Sequence, residues 1–147
     1  MRQLLLCCAL ALAALAARAE VIDIDSAQLA QMTKNGVTVI DIRTKPEWEE
    51  TGILPGSKLL TFFDERGKAD PAAWLAKVKP LASPDQPVIV ICRSGNRTKP
   101  VSQFLSQQAG YTTVYNVRNG LKGWVKDKGS VVPAATTLAA CRAAKTC

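Results

Sequence analysis

Histidine is absent from all 147 residues. That absence excludes a Ser-His-Asp triad, a Cys-His nucleophile pair and a His-ligated metal centre before any positional argument is made. Aromatics are scarce, at 5% of the chain, and they do not interleave with the scattered lysines. Stacking platforms set in a basic stripe, as a nucleic-acid binder needs, are therefore missing. The longest apolar run, Leu4 to Ala16, is about four residues short of a bilayer span. There is no internal repeat and no break in composition that marks a second domain.

What is present begins with an address. Met1-Arg2 is a positive start, the apolar run follows, and Ala17-Arg18-Ala19 has the small-x-small pattern of a cleavage site. Residues 1–19 thus read as a cleaved signal peptide, which predicts a periplasmic or secreted protein beginning at Glu20 and free of the membrane after cleavage. Cys7 and Cys8 lie too early in the apolar run to serve as a lipoprotein anchor. The formal charge is +7, and the leader takes only Arg2 and Arg18 away. The mature chain stays basic, which suits small anionic ligands better than nucleic acid.

Of the five cysteines, Cys7 and Cys8 leave with the leader, and Cys92, Cys141 and Cys147 remain. An oxidising compartment favours pairing the two in the tail, which leaves Cys92 as the odd thiol. Residues six apart lie on different sides of a helix, so a Cys141–Cys147 bridge requires the helix to break after Cys141.

Strand and helix signals alternate along the mature chain. Val21–Ile24, Val37–Asp41, Lys58–Thr61, Val88–Cys92 and Thr112–Tyr115 read as strands. Between them lie helix starts: Asp25 or Ser26 as cap, Thr44 ahead of Pro46 and Glu47 for a one-turn helix, and Asp70 ahead of Pro71. A helix from Lys99 should stop at Gly110, and Asn119–Trp124 opens a short one. This alternation predicts an α/β fold with a central parallel sheet of about five strands, covered by helices on both faces. Residues 20–132 form the domain, and residues 133–147 are an Ala-rich tail carrying two cysteines.

The chemistry concentrates after the apolar run Val88-Ile89-Val90-Ile91. It ends at Cys92, and Arg93-Ser94-Gly95-Asn96-Arg97 follow before a helix. A thiol at the carboxyl edge of a sheet, beside a helix start, faces loop N–H groups and the positive end of the helix dipole. Ser94, Gly95 and Asn96 let successive N–H groups converge, Gly95 allows a positive φ, and Arg93 and Arg97 add fixed charge. Such surroundings stabilise a thiolate and an approaching anion. A buried structural cysteine behind a surface loop is the plainer reading, and the two arginines with the glycine argue against it.

At these residues the chain resembles the rhodanese family, in its small, exported, single-domain form. Cys92-Arg93-Ser94-Gly95-Asn96-Arg97-Thr98 is close to the family's reactive loop. Asp41-Ile42-Arg43, Glu47-Trp48 and Gly52 through Ser57 resemble its earlier segment, and Gly120-Leu121-Lys122-Gly123-Trp124 its final turn. The likeness runs from about Val21 to Val132 and departs at Ile53, where the family usually has His, and at Asn119, where it has Gly. Asn119 is expected to serve there by visiting the left-handed region.

The resemblance implies a sulfurtransferase. Cys92 takes a sulfane sulfur from thiosulfate or a similar small anionic donor, holds it as a persulfide, and passes it to cyanide or a thiol. Arg93 and Arg97 hold the anion, the amides of Ser94, Gly95 and Asn96 cradle the sulfur, and no metal or other cofactor is implied. Only four residues separate Cys92 from Arg97. Cysteine phosphatases of the related fold use a longer loop and a general acid, so phosphatase or arsenate reductase chemistry ranks lower. A persulfide carrier for a partner protein, without turnover, is the second alternative; a redox thiol pairing with Cys141 or Cys147 is the third. Asp41 with Arg43 reads as a structural ion pair, and Phe62 and Phe63 are placed at the entrance.

Overall fold

The computed structural model describes residues 19–147; all but the last position of the expected signal peptide lies outside the described residues. Five strands form one sheet: β1 (Glu20–Ile24), β2 (Thr38–Asp41), β3 (Lys58–Leu59), β4 (Val88–Ile91) and β5 (Thr113–Val117). Their order is β1-β5-β4-β2-β3, and every pairing is parallel. Between and after them come α1 (Ser26–Lys34), α2 (Lys45–Thr51), α3 (Pro71–Val78), α4 (Thr98–Gln107), α5 (Gly120–Lys126) and α6 (Ala135–Ala143).

The central strand shows why the sheet must be covered twice. All four residues of β4 are buried. Because side chains alternate across a strand, Val88, Val90 and Cys92 join one apolar cluster with Trp74 and Val78 of α3 and Val101 and Leu105 of α4. Ile89 and Ile91 join the opposite cluster with Leu29 of α1 and Leu121 and Trp124 of α5. Helices therefore lie on both faces. Their starts follow local chemistry. Asp25 accepts from Gln28 N at 2.9 Å while Gln28 Oε1 accepts from Asp25 N at 3.0 Å, a reciprocal capping box. Asp70 caps α3 through Ala73 N at 3.0 Å, with Pro71 in the first position.

Most element bounds shift by a residue or two from the expectation, and three of the shifts are informative. The helix after Thr44 runs two turns, to Thr51, because its C-terminal half packs Trp48 against Ile53, Leu59 and α6. Strand β5 continues to Val117, where its parallel register with β1 still pairs Ile24. Strand β3 is only Lys58–Leu59, although Leu60 N and Phe62 N still donate to Asp41 O and Ile42 O beyond it.

The alanine-rich tail is docked. Val132 and Ile53 exchange backbone hydrogen bonds of 2.9 Å each in an antiparallel bridge. Ala134 and Leu138 then bury against Trp48, Ile53 and Leu59, so α6 shelters the β3 side of the sheet, where an edge would otherwise stand open. After α6 the chain reverses at Lys145, whose φ is 54°, and Cys147 returns to Cys141 in a disulfide with Cα atoms 5.4 Å apart.

Candidate active site

Cys92 directly follows β4, at the carboxyl edge of the sheet, and is 1% exposed. It is a free thiol; Cys141 and Cys147 are bonded to each other instead. Its Sγ accepts the N–H of Gly95 at 3.2 Å and lies 3.8 Å from the hydroxyl of Thr98. That hydroxyl donates to Gly95 O at 3.0 Å, closing the loop on itself at the first residue of α4. From the other side, the first turn of α5 holds the loop's start: Leu121 N donates to Cys92 O at 2.8 Å and Lys122 N to Arg93 O at 2.9 Å.

Two glycines make this closeness possible. Gly95 has φ 88°, and a Cβ there would lie 1.9 Å from the carbonyl oxygen of Arg118. Gly120 has φ 57° and presses against Cys92 O and Arg93. The left-handed residue of the final turn is thus Gly120, not its neighbour: Asn119 has φ −104°, so the expectation for Asn119 is corrected. Asn keeps an ordinary backbone there because the turn places its one demanding position a residue later.

Gly95→Ala combines a side chain at positive φ with a collision against backbone that cannot swing away. We expect it to cost about 2–4 kcal/mol in urea unfolding and to pull the Gly95 N–H off the sulfur.

The two arginines have different surroundings. Arg93 is exposed, and among the described residues no carboxylate lies within ion-pair distance of it. Arg97, expected to face the anion, gives two N–H donors to Glu47, at 2.8 and 2.6 Å. Ser94 and Asn96 are exposed on the loop between them. Glu47 also accepts from the backbone N–H and hydroxyl of Thr44, each at 3.1 Å. Burial alone would raise the Glu47 carboxyl, but the Arg97 and Thr44 hydrogen bonds outweigh it and bring its pKa down to about 2. Donating to the Glu47 carboxylate pushes Arg97 further up.

A depressed carboxyl pKa stabilises the folded state in full above the ordinary value and loses that stabilisation as pH falls toward the folded one. The Glu47 contribution should therefore be level from neutrality to about pH 5 and decline between there and pH 2. Glu47→Gln should lower stability by about 1 kcal/mol near neutrality, the partial exposure of the pair holding the figure down. It should also flatten the acid limb of the stability profile, followed by urea unfolding across pH.

The remaining candidates sit apart. Asp41 and Arg43 are both buried and joined by three side-chain hydrogen bonds of 2.7 to 3.1 Å. Phe62 lies in the core cluster, edge-on to Phe63 and Trp74, and both phenylalanines are packing residues rather than an exposed gate. Ile53 is fully buried with Trp48 and Leu138. Thr98 and the α5 amides belong to the site and were not singled out from sequence; small polar residues and backbone donors carry no pattern of their own.

A five-stranded parallel sheet with helices on both faces, and a free buried thiol where a strand passes through a loop into a helix, defines the class. The sequence pattern of the rhodanese-like domain matches residues 25–127. Thiosulfate sulfurtransferase GlpE of Pseudomonas aeruginosa is 32% identical over 110 residues, 75% of this chain and 86% of that one. Thiosulfate sulfurtransferase 18 of Arabidopsis thaliana is 28% identical over 111 residues, 72% of this chain and 79% of that one. The crystal structure of a rhodanese-related protein from Thermoplasma volcanium superposes with a TM-score of 0.56 at 24% identity, covering 76% of this chain and 97% of that one. The chain belongs to the rhodanese-like family, a family of sulfurtransferases.

Proposed function

We propose that the protein moves a sulfane sulfur from thiosulfate, or a donor like it, through a Cys92 persulfide to cyanide or a thiol acceptor. The observation that carries this is the hydrogen bond from Gly95 N to Cys92 Sγ inside a loop of only four intervening residues. We read so short a loop as a cradle for one transferred sulfur. In the first half-reaction the Cys92 thiolate attacks the outer sulfur of thiosulfate; a new S–S bond forms, the old one breaks, and sulfite leaves with the bonding pair. In the second, the acceptor's lone pair attacks the outer sulfur and Cys92 regains its thiolate. Arg93, exposed and without a carboxylate partner among the described residues, steers and holds the anionic donor. Arg97 anchors the loop to α2 through Glu47 rather than clamping a tetrahedral oxyanion, which weighs against phosphatase chemistry.

We place the reaction outside the cytoplasm. The leader-like start of the chain and a disulfide near its end support that setting. Treating the protein with thiosulfate and mapping peptides by mass should show one added sulfur on Cys92, removed by cyanide with release of thiocyanate. Persulfide formation without turnover would favour the carrier, and absence of any added sulfur would overturn the reading.

A further inference from the structure

A cleft of about 610 Å³ opens between α2, the β3–α3 connection, α3 and α6. None of its lining residues belongs to the loop from Cys92 to Thr98. Its floor is apolar, made by Trp48, Leu60, Phe62, Trp74 and Leu138, all buried. Its rim carries four exposed cations: Lys45, Lys68, Lys77 and Arg142.

The rim charge is only partly offset from within. Asp64 and Asp70 also line the cleft and reduce its positive balance, but their carboxylates are bonded to backbone N–H groups, so the four cations still outnumber them. Asp64 Oδ1 accepts from Arg66 N and Lys68 N at 2.8 Å, and Asp70 Oδ1 caps α3. Lys45 pairs with Glu49 at 3.2 Å. Among the described residues, Lys68, Lys77 and Arg142 have no carboxylate within ion-pair distance. Trp48, in the floor and 3% exposed, has an indole Nε1 without an acceptor among the described residues. The last turn of the chain completes the wall, since the bonded Cys147 lines the cleft beside Arg142.

An inorganic anion alone would leave this floor uncovered, and a neutral apolar molecule would leave the rim unmatched. The volume lies within the usual range for small-ligand sites, about 300–1,000 Å³. We propose that the cleft is a second ligand site, distinct from Cys92, which takes a small amphipathic anion: an apolar body on Trp48, Phe62, Trp74 and Leu138, and a carboxylate or sulfonate met by the rim cations.

Dodecanoate is the probe, with dodecyltrimethylammonium for the same body under opposite charge and acetate for the charge without the body. Trp48 and Trp74 report from inside the cleft, while Trp124 lies elsewhere. Tryptophan fluorescence and calorimetry should show dodecanoate binding saturably, one per chain, unchanged in Cys92→Ser and in excess thiosulfate. Acetate and dodecyltrimethylammonium should bind at least tenfold more weakly. The double variant Lys77→Glu, Arg142→Glu should lose at least tenfold in dodecanoate affinity. Both side chains are exposed and make no ion pair among the described residues, so the variant is expected to keep its fold, checked by near-ultraviolet circular dichroism. Equal affinity for the cationic probe, an unaffected double variant, no saturable binding, or loss of binding in Cys92→Ser would each overturn the proposal.

Discussion

Cys92→Ser should abolish thiocyanate formation from thiosulfate and cyanide, a drop of at least ~10³-fold, while leaving the unfolding midpoint close to wild type. A serine hydroxyl near neutrality is almost wholly protonated and cannot carry a transferable sulfur; a thiolate can. The fold should survive because the exchange is nearly isosteric at a position 1% exposed, and the oxygen can still accept the Gly95 N–H. No other described thiol stands ready to substitute: Cys141 and Cys147 are bonded to each other, and Cys92 is the free one. The measurement is the transfer assay with p-nitrophenyl phosphate as a comparison substrate, paired with a urea melt. Full retention of thiocyanate-forming activity in Cys92→Ser would remove Cys92 from the mechanism. Phosphate-ester cleavage that disappears with Cys92 while thiosulfate turnover was never present would move the chemistry to the longer-loop class.

The parts of this site that were legible in the sequence are those written in a single stretch. A β-branched apolar run ended by Cys92 and five polar residues announces strand, loop and helix in order, because burial and turn chemistry act locally. Glu47 was legible only in part. Its spacing from Thr44 marks a capping box, but its bond to Arg97 joins residues fifty apart. That contact exists because β2 and β4 are neighbours in the sheet, which brings α2 against the Cys92 loop. The tail failed to read for a different reason: alanines give no apolar stripe, and its docking rests chiefly on Ala134 and Leu138. The Asn119 correction shows a third limit. A turn's composition reports that one residue needs a positive φ, and the placement came out one residue away, at Gly120.

Arg43→Met is expected to give the largest loss of stability, roughly 3–5 kcal/mol. The Arg43 guanidinium is fully buried, and all its hydrogen-bond partners are local in sequence yet belong to different elements. Asp41, at the end of β2, takes its Nε and Nη2; Glu47 O and Thr51 Oγ1 of α2 take Nη1 at 3.3 and 2.7 Å; Gly52 O takes Nη2 at 2.9 Å. Removing the guanidinium leaves the fully buried Asp41 carboxylate with the backbone N–H of residue 43 as its remaining hydrogen-bond donor, and an unmatched buried charge is far costlier than a missing pair. A domain with about 5–15 kcal/mol to lose should then unfold at markedly lower urea. Asp41→Asn combined with Arg43→Met removes both charges and should recover part of the loss, but not all, because Glu47 O and Gly52 O lose their guanidinium donors and share the Thr51 hydroxyl, at 2.8 and 3.3 Å. The effect should also reach the thiol. Arg43 fixes α2, α2 presents Glu47, and Glu47 holds Arg97 at the far end of the Cys92 loop. Arg43→Lys keeps a charge but loses the planar fork, so it should lower transfer activity more than its own stability loss accounts for, measured as turnover at a temperature where the variant remains folded. Unaltered turnover in folded Arg43→Lys would confine Arg43 to the scaffold and cut that chain at α2.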